Sequence, residues 1–137
     1  MPTRSRTRAF LAGAMLCLQL ALASAAQAQG TAALAGDFDA KLLRLVEVLG
    51  SVQFLRQLCE GPEGDVWRRR AAAIIESQSG GEAPDEAARA RLTAAFNRGY
   101  RAFAYYERCT NAAIVAIDRY VREGEALGRD ILVRFGE

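Results

Sequence analysis

Histidine is absent from these 137 residues, and that absence removes more chemistry than any other feature. Without it there is no Ser-His-Asp or Cys-His nucleophilic relay, no His-ligated zinc and no imidazole proton shuttle near neutral pH. Cysteine is scarce at three residues, too few for a Cys₄ zinc or iron–sulfur site within one chain. No P-loop, G-x-G-x-x-G, EF-hand spacing or C-x-x-C occurs. No stretch alternates apolar and polar residues as a half-buried strand would. No catalytic residue, cofactor or metal is therefore expected, which favours a binding protein over an enzyme. The length supports one domain.

What is present begins with a targeting pattern. Arg4, Arg6 and Arg8 precede an apolar run over 9–23, and small residues then lead to Ala26-Gln27-Ala28. That order is the pattern of a cleaved secretory signal peptide over 1–28, with Ala23-Ser24-Ala25 as a second cleavage site. The run is too short for a spanning helix, so no membrane span is expected after cleavage. Cys17 follows Leu16, which argues against lipidation, and Ser5 and Thr7 separate the arginines, which argues against a twin-arginine signal. Cleavage leaves 15 basic and 16 acidic residues over 29–137, so the formal +2 becomes −1. A basic nucleic-acid binder is disfavoured, and no nucleic-acid partner is expected. Cys59 and Cys109 remain, and in an exported protein an even pair is most simply a disulfide, a reactive thiol being the alternative.

The mature chain reads as an all-α protein, a small antiparallel bundle of about four helices stapled by one disulfide. Residues 29–36 look like a flexible lead-in to a helical domain over 37–137, with Asp37 as N-cap. The first helix spans about 38–58 on Phe38, Leu42, Leu45, Leu49 and Val52, with Val48, Phe54, Leu55 and Leu58 making its second half apolar on more than one side. Gly50-Ser51 is a candidate kink. A second helix spans about 63–77 with Val66, Trp67, Ala71, Ile74 and Ile75 inward, and 77–83 is a loop. A third opens at Pro84-Asp85-Glu86 and carries Ala88, Leu92, Ala95, Phe96, Gly99, Phe103 and Tyr106. A fourth, capped by Thr110 or Asn111, runs to about 135 with Ile114, Ile117, Val121, Gly124, Gly128, Ile131, Leu132 and Phe135 on one side. Gly99, Gly124 and Gly128 fall on inward faces, where close approach of a neighbour explains them.

The strongest candidate binding surface is a basic stripe on the third helix. At helical spacing Arg91, Arg98, Arg101, Tyr105 and Arg108 share a face, with Asn97 at its edge and no acid among them. Arginine forks beside Tyr and Asn suit carboxylates and phosphates, whereas a solvated face paired to neighbouring acids is the plainer explanation. Trp67 with Arg68 forms a second candidate, Trp67 as a core residue or half-buried anchor and an arginine stacked on a ring. Glu60, Glu63 and Glu107 are the carboxylates open to acid–base work, although a bundle this small offers little cleft to perturb them.

Several segments carry a resemblance when taken together. They are Leu49-Gly50-Ser51, Phe54–Cys59, Glu63–Arg68, Ala95–Arg101, Tyr106–Thr110 and Arg119–Gly124. In that combination the chain resembles a family of small exported alphaproteobacterial proteins defined by a domain of unknown function. The resemblance covers nearly all of 29–137. It implies a periplasmic Gram-negative setting and a paired Cys59–Cys109, carries no activity, and concentrates on Trp67-Arg68 and Asn97–Arg101.

The expected function is a non-catalytic periplasmic protein that binds a periplasmic protein or an anionic envelope component. An accessory role in cell-envelope or peptidoglycan remodelling is the expectation that this compartment suggests, with no residue that argues for it. A small carboxylate-dependent cell-wall hydrolase and a small-ligand binder are the alternatives, the latter because inward glycines leave room between helices.

Overall fold

The computed structural model describes residues 6–61 and 64–136. Its elements are α1 (Arg6–Glu60), α2 (Val66–Ser79), α3 (Glu86–Arg101) and α4 (Asn111–Phe135), with no strand among the described residues. The all-α expectation holds. The chain divides into two units between Asp37 and Phe38. From Arg6 to Asp37 the chain is α1 backbone; from Phe38 onward lies the buried core. Of the expected signal peptide over 1–28, residues 1–5, with Arg4, lie outside the described residues. No described helix is long and apolar enough to cross a membrane.

Residues 29–36, expected as a flexible lead-in, lie within α1, and Asp37 sits inside the helix instead of capping it. The cause is local: Ala, Leu and Gln dominate 19–34, and no proline stands between Pro2 and Pro62, so nothing breaks the helix. It stops at Gly61, whose φ of 87° places it in the left-handed region while its N–H donates to the Gln57 carbonyl at 3.2 Å.

The start of α2 is secured from α1. Asp65 at the N-cap position makes no side-chain capping bond. Instead the fully buried Gln53 amide donates to the Gly64 carbonyl at 2.6 Å and accepts the Arg68 N–H at 2.8 Å. The other caps are local. The Asp85 carboxylate accepts the Ala88 N–H at 2.9 Å, and the Thr110 hydroxyl accepts the Ala113 N–H at 3.2 Å, which assigns the α4 cap to Thr110.

α3 ends at Arg101, earlier than the periodicity suggests. Residues 102–106 form tight turns, with the Ala104 N–H on the Arg101 carbonyl and the Tyr106 N–H on Phe103. Two demands override the period there. Phe103 leaves the α3 line to bury itself with Leu55, Ala113, Ala116 and Ile117. Cys109 must also reach Cys59 at the end of α1, and the Cys59–Cys109 disulfide forms with its Cα atoms 4.7 Å apart.

α1 is the central element. Val46, Val48, Leu49, Gly50, Ser51, Val52, Gln53 and Leu55 are all buried, as the apolar character on several sides suggests. On one side α1 meets the α2–α3 hairpin through Leu42, Val46 and Leu49 against Ala71, Leu92, Ala95 and Phe96. On another, Leu55 meets α4 and the 102–110 connection. Contacts run Phe38 to Phe135, Lys41 to Asp130, Arg44 to Glu123 and Cys59 to Cys109, so α4 lies antiparallel to α1. The Arg44 guanidinium grips both carboxylate oxygens of Glu123 at 2.6 and 3.0 Å. Those bonds hold its pKa above the ordinary arginine value against the opposing effect of burial.

Gly50, the candidate kink, is half of a backbone contact. A Cβ on Gly50 would stand 2.1 Å from the Phe96 carbonyl oxygen, and one on Gly99 would stand 1.9 Å from that of Glu47. The Ser51 hydroxyl joins the two helices there, 3.2 Å from the Gly99 carbonyl oxygen. Gly128, expected to permit a similar approach, has nothing within 4 Å of its Cβ position. Ile114 and Leu132, expected inward on α4, are 54% and 70% exposed, because α4 covers α1 with a narrower face than its apolar stripe offers.

Candidate functional site: an apolar groove along α1

The basic stripe divides once the local structure is known. Arg91, Asn97, Arg98 and Arg101 are exposed on α3, whereas Tyr105 and Arg108 belong to the 102–110 connection, because α3 has already ended. Arg98 is engaged within the protein: its Nε and Nη2 donate to one Glu47 oxygen at 3.1 and 2.9 Å. Asn97, Arg98 and Arg101 share a shallow depression with Ala94 and Ala102. Arg91 lines a separate hollow with Asp39 and Asp85, two acids that offset its charge. The stripe is thus divided between α3 and the 102–110 connection.

Tyr105 is 70% exposed, and its ring lies 4.5 Å from that of Tyr106. The hydrogen bond to Tyr106 is the main reason its phenol pKa lies above the usual tyrosine value. Behind the pair, Phe103 stacks on Tyr106 at 6.2 Å and meets Tyr120 edge-on at 5.4 Å. Arg68 is exposed, with its guanidinium 5.7 Å from the Phe96 ring centre and 5.6 Å from that of Tyr100. One arginine of the 68–70 run therefore does stack on aromatic rings, and Arg70 does the same on Trp67 at 4.8 Å.

Among the carboxylates, Glu63 lies outside the described residues and Glu107 is exposed. Glu60 and Asp118 line a hollow beside the disulfide, yet both are mostly solvent-facing, and each is ion-paired one helical turn away, to Arg56 and Arg122. Among the described residues no cluster of three or more Cys, Asp or Glu is gathered as a metal site.

An apolar groove lies elsewhere. A groove of about 400 Å³ runs along α1, floored by Leu45, Val48, Leu49 and Val52. Trp67, Arg70, Ala73 and Ile74 of α2 form one wall, and Tyr120, Val121, Gly124 and Glu125 of α4 form the other. Its volume lies in the range of small-molecule sites, and its walls are apolar with charge confined to the rim, as such sites require. The floor is dry: Val48 and Val52 are each 1% exposed and Leu49 is 6%. Gly124 shapes the α4 wall, since a Cβ there would come within 3.2 Å of the Val48 methyl.

Trp67 is thus the sequence candidate that reaches this site, half-buried as expected, while the others do not line it. The groove itself escapes a reading helix by helix. Its signal was the surplus of apolar residues around the second half of α1, more than one helical neighbour can cover, together with an inward glycine opposite.

No curated protein and no solved structure gives a match to this chain. The family model described as "Protein of unknown function (DUF2385)" matches residues 37–135, most of the length and the whole packed core. The chain belongs to that family.

Proposed function

We propose that this is a non-catalytic binding protein of the periplasm, exported through a cleaved signal peptide, that acts as an accessory in the cell envelope by holding an envelope component in the groove along α1. The observation that carries the reading is the groove itself, an apolar slot between two helix walls with Arg70 and Glu125 as the charged side chains in its lining. The signal-like N-terminus and the Cys59–Cys109 bond support the compartment, since disulfides persist where the surroundings are oxidising. Because Arg98 is already engaged by Glu47, the groove is favoured over the α3 arginine face as the working surface.

The test is site-directed photocross-linking in envelope fractions. A photoreactive side chain at Ala73, on the groove lip, captures the occupant; the same group at Arg101, on the α3 face, does not. Capture from position 101 alone would move the site to the arginine face. Release of fragments from isolated cell walls by the purified protein would show an enzyme instead.

A further inference from the structure

We infer that the groove takes the acyl chain of an anionic amphiphile, with the head group against the Arg70 guanidinium; this rests on the groove being the working site. Three observations select that occupant. The slot is narrow: Val48 and Val52 on its floor are each only 1% exposed, screened by both walls, whereas a groove as wide as a helix of about 10 Å would leave them open. Its interior offers no polar partner for a peptide backbone, whose unsatisfied groups are costly in an apolar site. From Leu45 to Val52 the floor extends about 10 Å, which suits a linear hydrocarbon chain. The rim supplies the head-group preference. Arg70 makes no ion pair among the described residues and is held over the Trp67 ring at 4.8 Å, a charge placed at the mouth and open to a new partner. The opposing acid, Glu125, already faces Arg129 at 4.0 Å.

Carboxylate and phosphate amphiphiles share this chemistry, so both enter the test. The full-length protein is titrated with dodecanoate, dodecyl phosphate and dodecanol below their micelle concentrations. The emission of Trp67, the one tryptophan in the chain, is the readout because it reports on the groove and not on the apolar N-terminal run. The expected result is a saturable blue shift with all three, the anions binding about tenfold tighter than the alcohol through a charge-assisted bond. A preference between the two anions identifies the head group. Arg70→Glu abolishes the anions' advantage and leaves dodecanol unchanged; Ala73→Phe, at an exposed position, fills the slot and weakens all three at least tenfold. Both variants should retain their far-ultraviolet circular dichroism, and Arg70→Glu alone decides the matter if Ala73→Phe misfolds. Absence of saturable binding, or binding indifferent to Arg70→Glu, overturns the inference. So does a dimer in sedimentation that Ala73→Phe dissociates, since a second copy would then own the slot. If the amphiphiles fail while cross-linking at position 73 still captures an envelope partner, the broader reading stands and this inference alone falls; no capture at position 73 refutes the broader reading.

Discussion

Adding one methyl group to each of three helical glycines should separate their roles by the sign of the effect. Glycine in a helix interior costs about 1 kcal/mol relative to alanine, so Gly→Ala is favourable wherever space permits. At Gly128 nothing lies within 4 Å of the new atom, and Gly128→Ala should stabilise the protein by about 0.5–1 kcal/mol. At Gly99 the same methyl would stand 1.9 Å from the Glu47 carbonyl oxygen, and at Gly50 2.1 Å from that of Phe96. Those neighbours are helix backbone, which cannot rotate away. α1 and α3 must part by more than about 1 Å to reach ordinary contact distance, loosening Leu49, Ala95 and Phe96 and the Ser51–Gly99 bond. Overpacking of this kind costs about 1–3 kcal/mol, and rigid backbone puts this contact at the upper end, so after the propensity gain Gly99→Ala should lose about 2 kcal/mol. The assay is urea unfolding of the oxidised protein. A lowered midpoint at constant slope is expected for Gly99→Ala and Gly50→Ala, and a raised one for Gly128→Ala. In thermal scans 1 kcal/mol corresponds to about 4–8 °C for a domain of this size. A Gly99→Ala protein as stable as wild type would refute the backbone contact between α1 and α3.

Three further outcomes follow from contacts described above. Cys59→Ser with Cys109→Ser releases a cross-link of sequence separation 50, and chain entropy puts the loss at about 4 kcal/mol, less if the reduced state retains structure; denaturation with and without reductant measures it. Gln53→Leu keeps the volume but strands the Gly64 carbonyl and the Arg68 N–H, so a loss of about 1–3 kcal/mol with early hydrogen exchange at the start of α2 is expected, and unchanged protection would contradict the capping role. In ultraviolet pH titration Tyr105 should ionise above the usual tyrosine range; its raised pKa means the folded form favours the neutral phenol, an advantage present below the unfolded value and fading as pH rises through the folded one. Tyr106→Phe should bring it back toward the ordinary value, and no change would exclude the phenol–phenol bond as the cause.

What could be read from residues alone depended on whether the cause was local. The helix cores, the Asp85 start of α3 and the loop after Ser79 are set by period, capping chemistry and glycine, and all were legible. The end of α3 was not: nothing between Gly99 and Thr110 breaks a helix by its own propensity, and the turn at 102–106 exists because Phe103 and Cys109 have distant partners. The same limit governs Arg98. Its place on a basic face follows from spacing, but its engagement by Glu47, 51 residues away, is a tertiary fact. Gln53 is the plainest case. No local pattern marks this polar residue in an apolar stretch, and it is the group that holds the next helix in place.

The groove follows from how α1 is shared. Between Leu42 and Leu55 this helix is apolar on several sides, so one neighbour cannot cover it. The α2–α3 hairpin approaches to backbone contact because Gly50 and Gly99 carry no side chains. α4 is fastened to α1 at one end by the disulfide and further along by Arg44 and Lys41. With both neighbours fixed, the strip of α1 between them is covered only as far as the wall side chains reach, and at Gly124 and Ala73 that reach is shortest. Gly124 is kept small by the approach of α4 itself, since a Cβ there would stand 3.2 Å from the Val48 methyl. Ala73, exposed on the α2 lip, is then the position at which a longer apolar side chain would close over the strip.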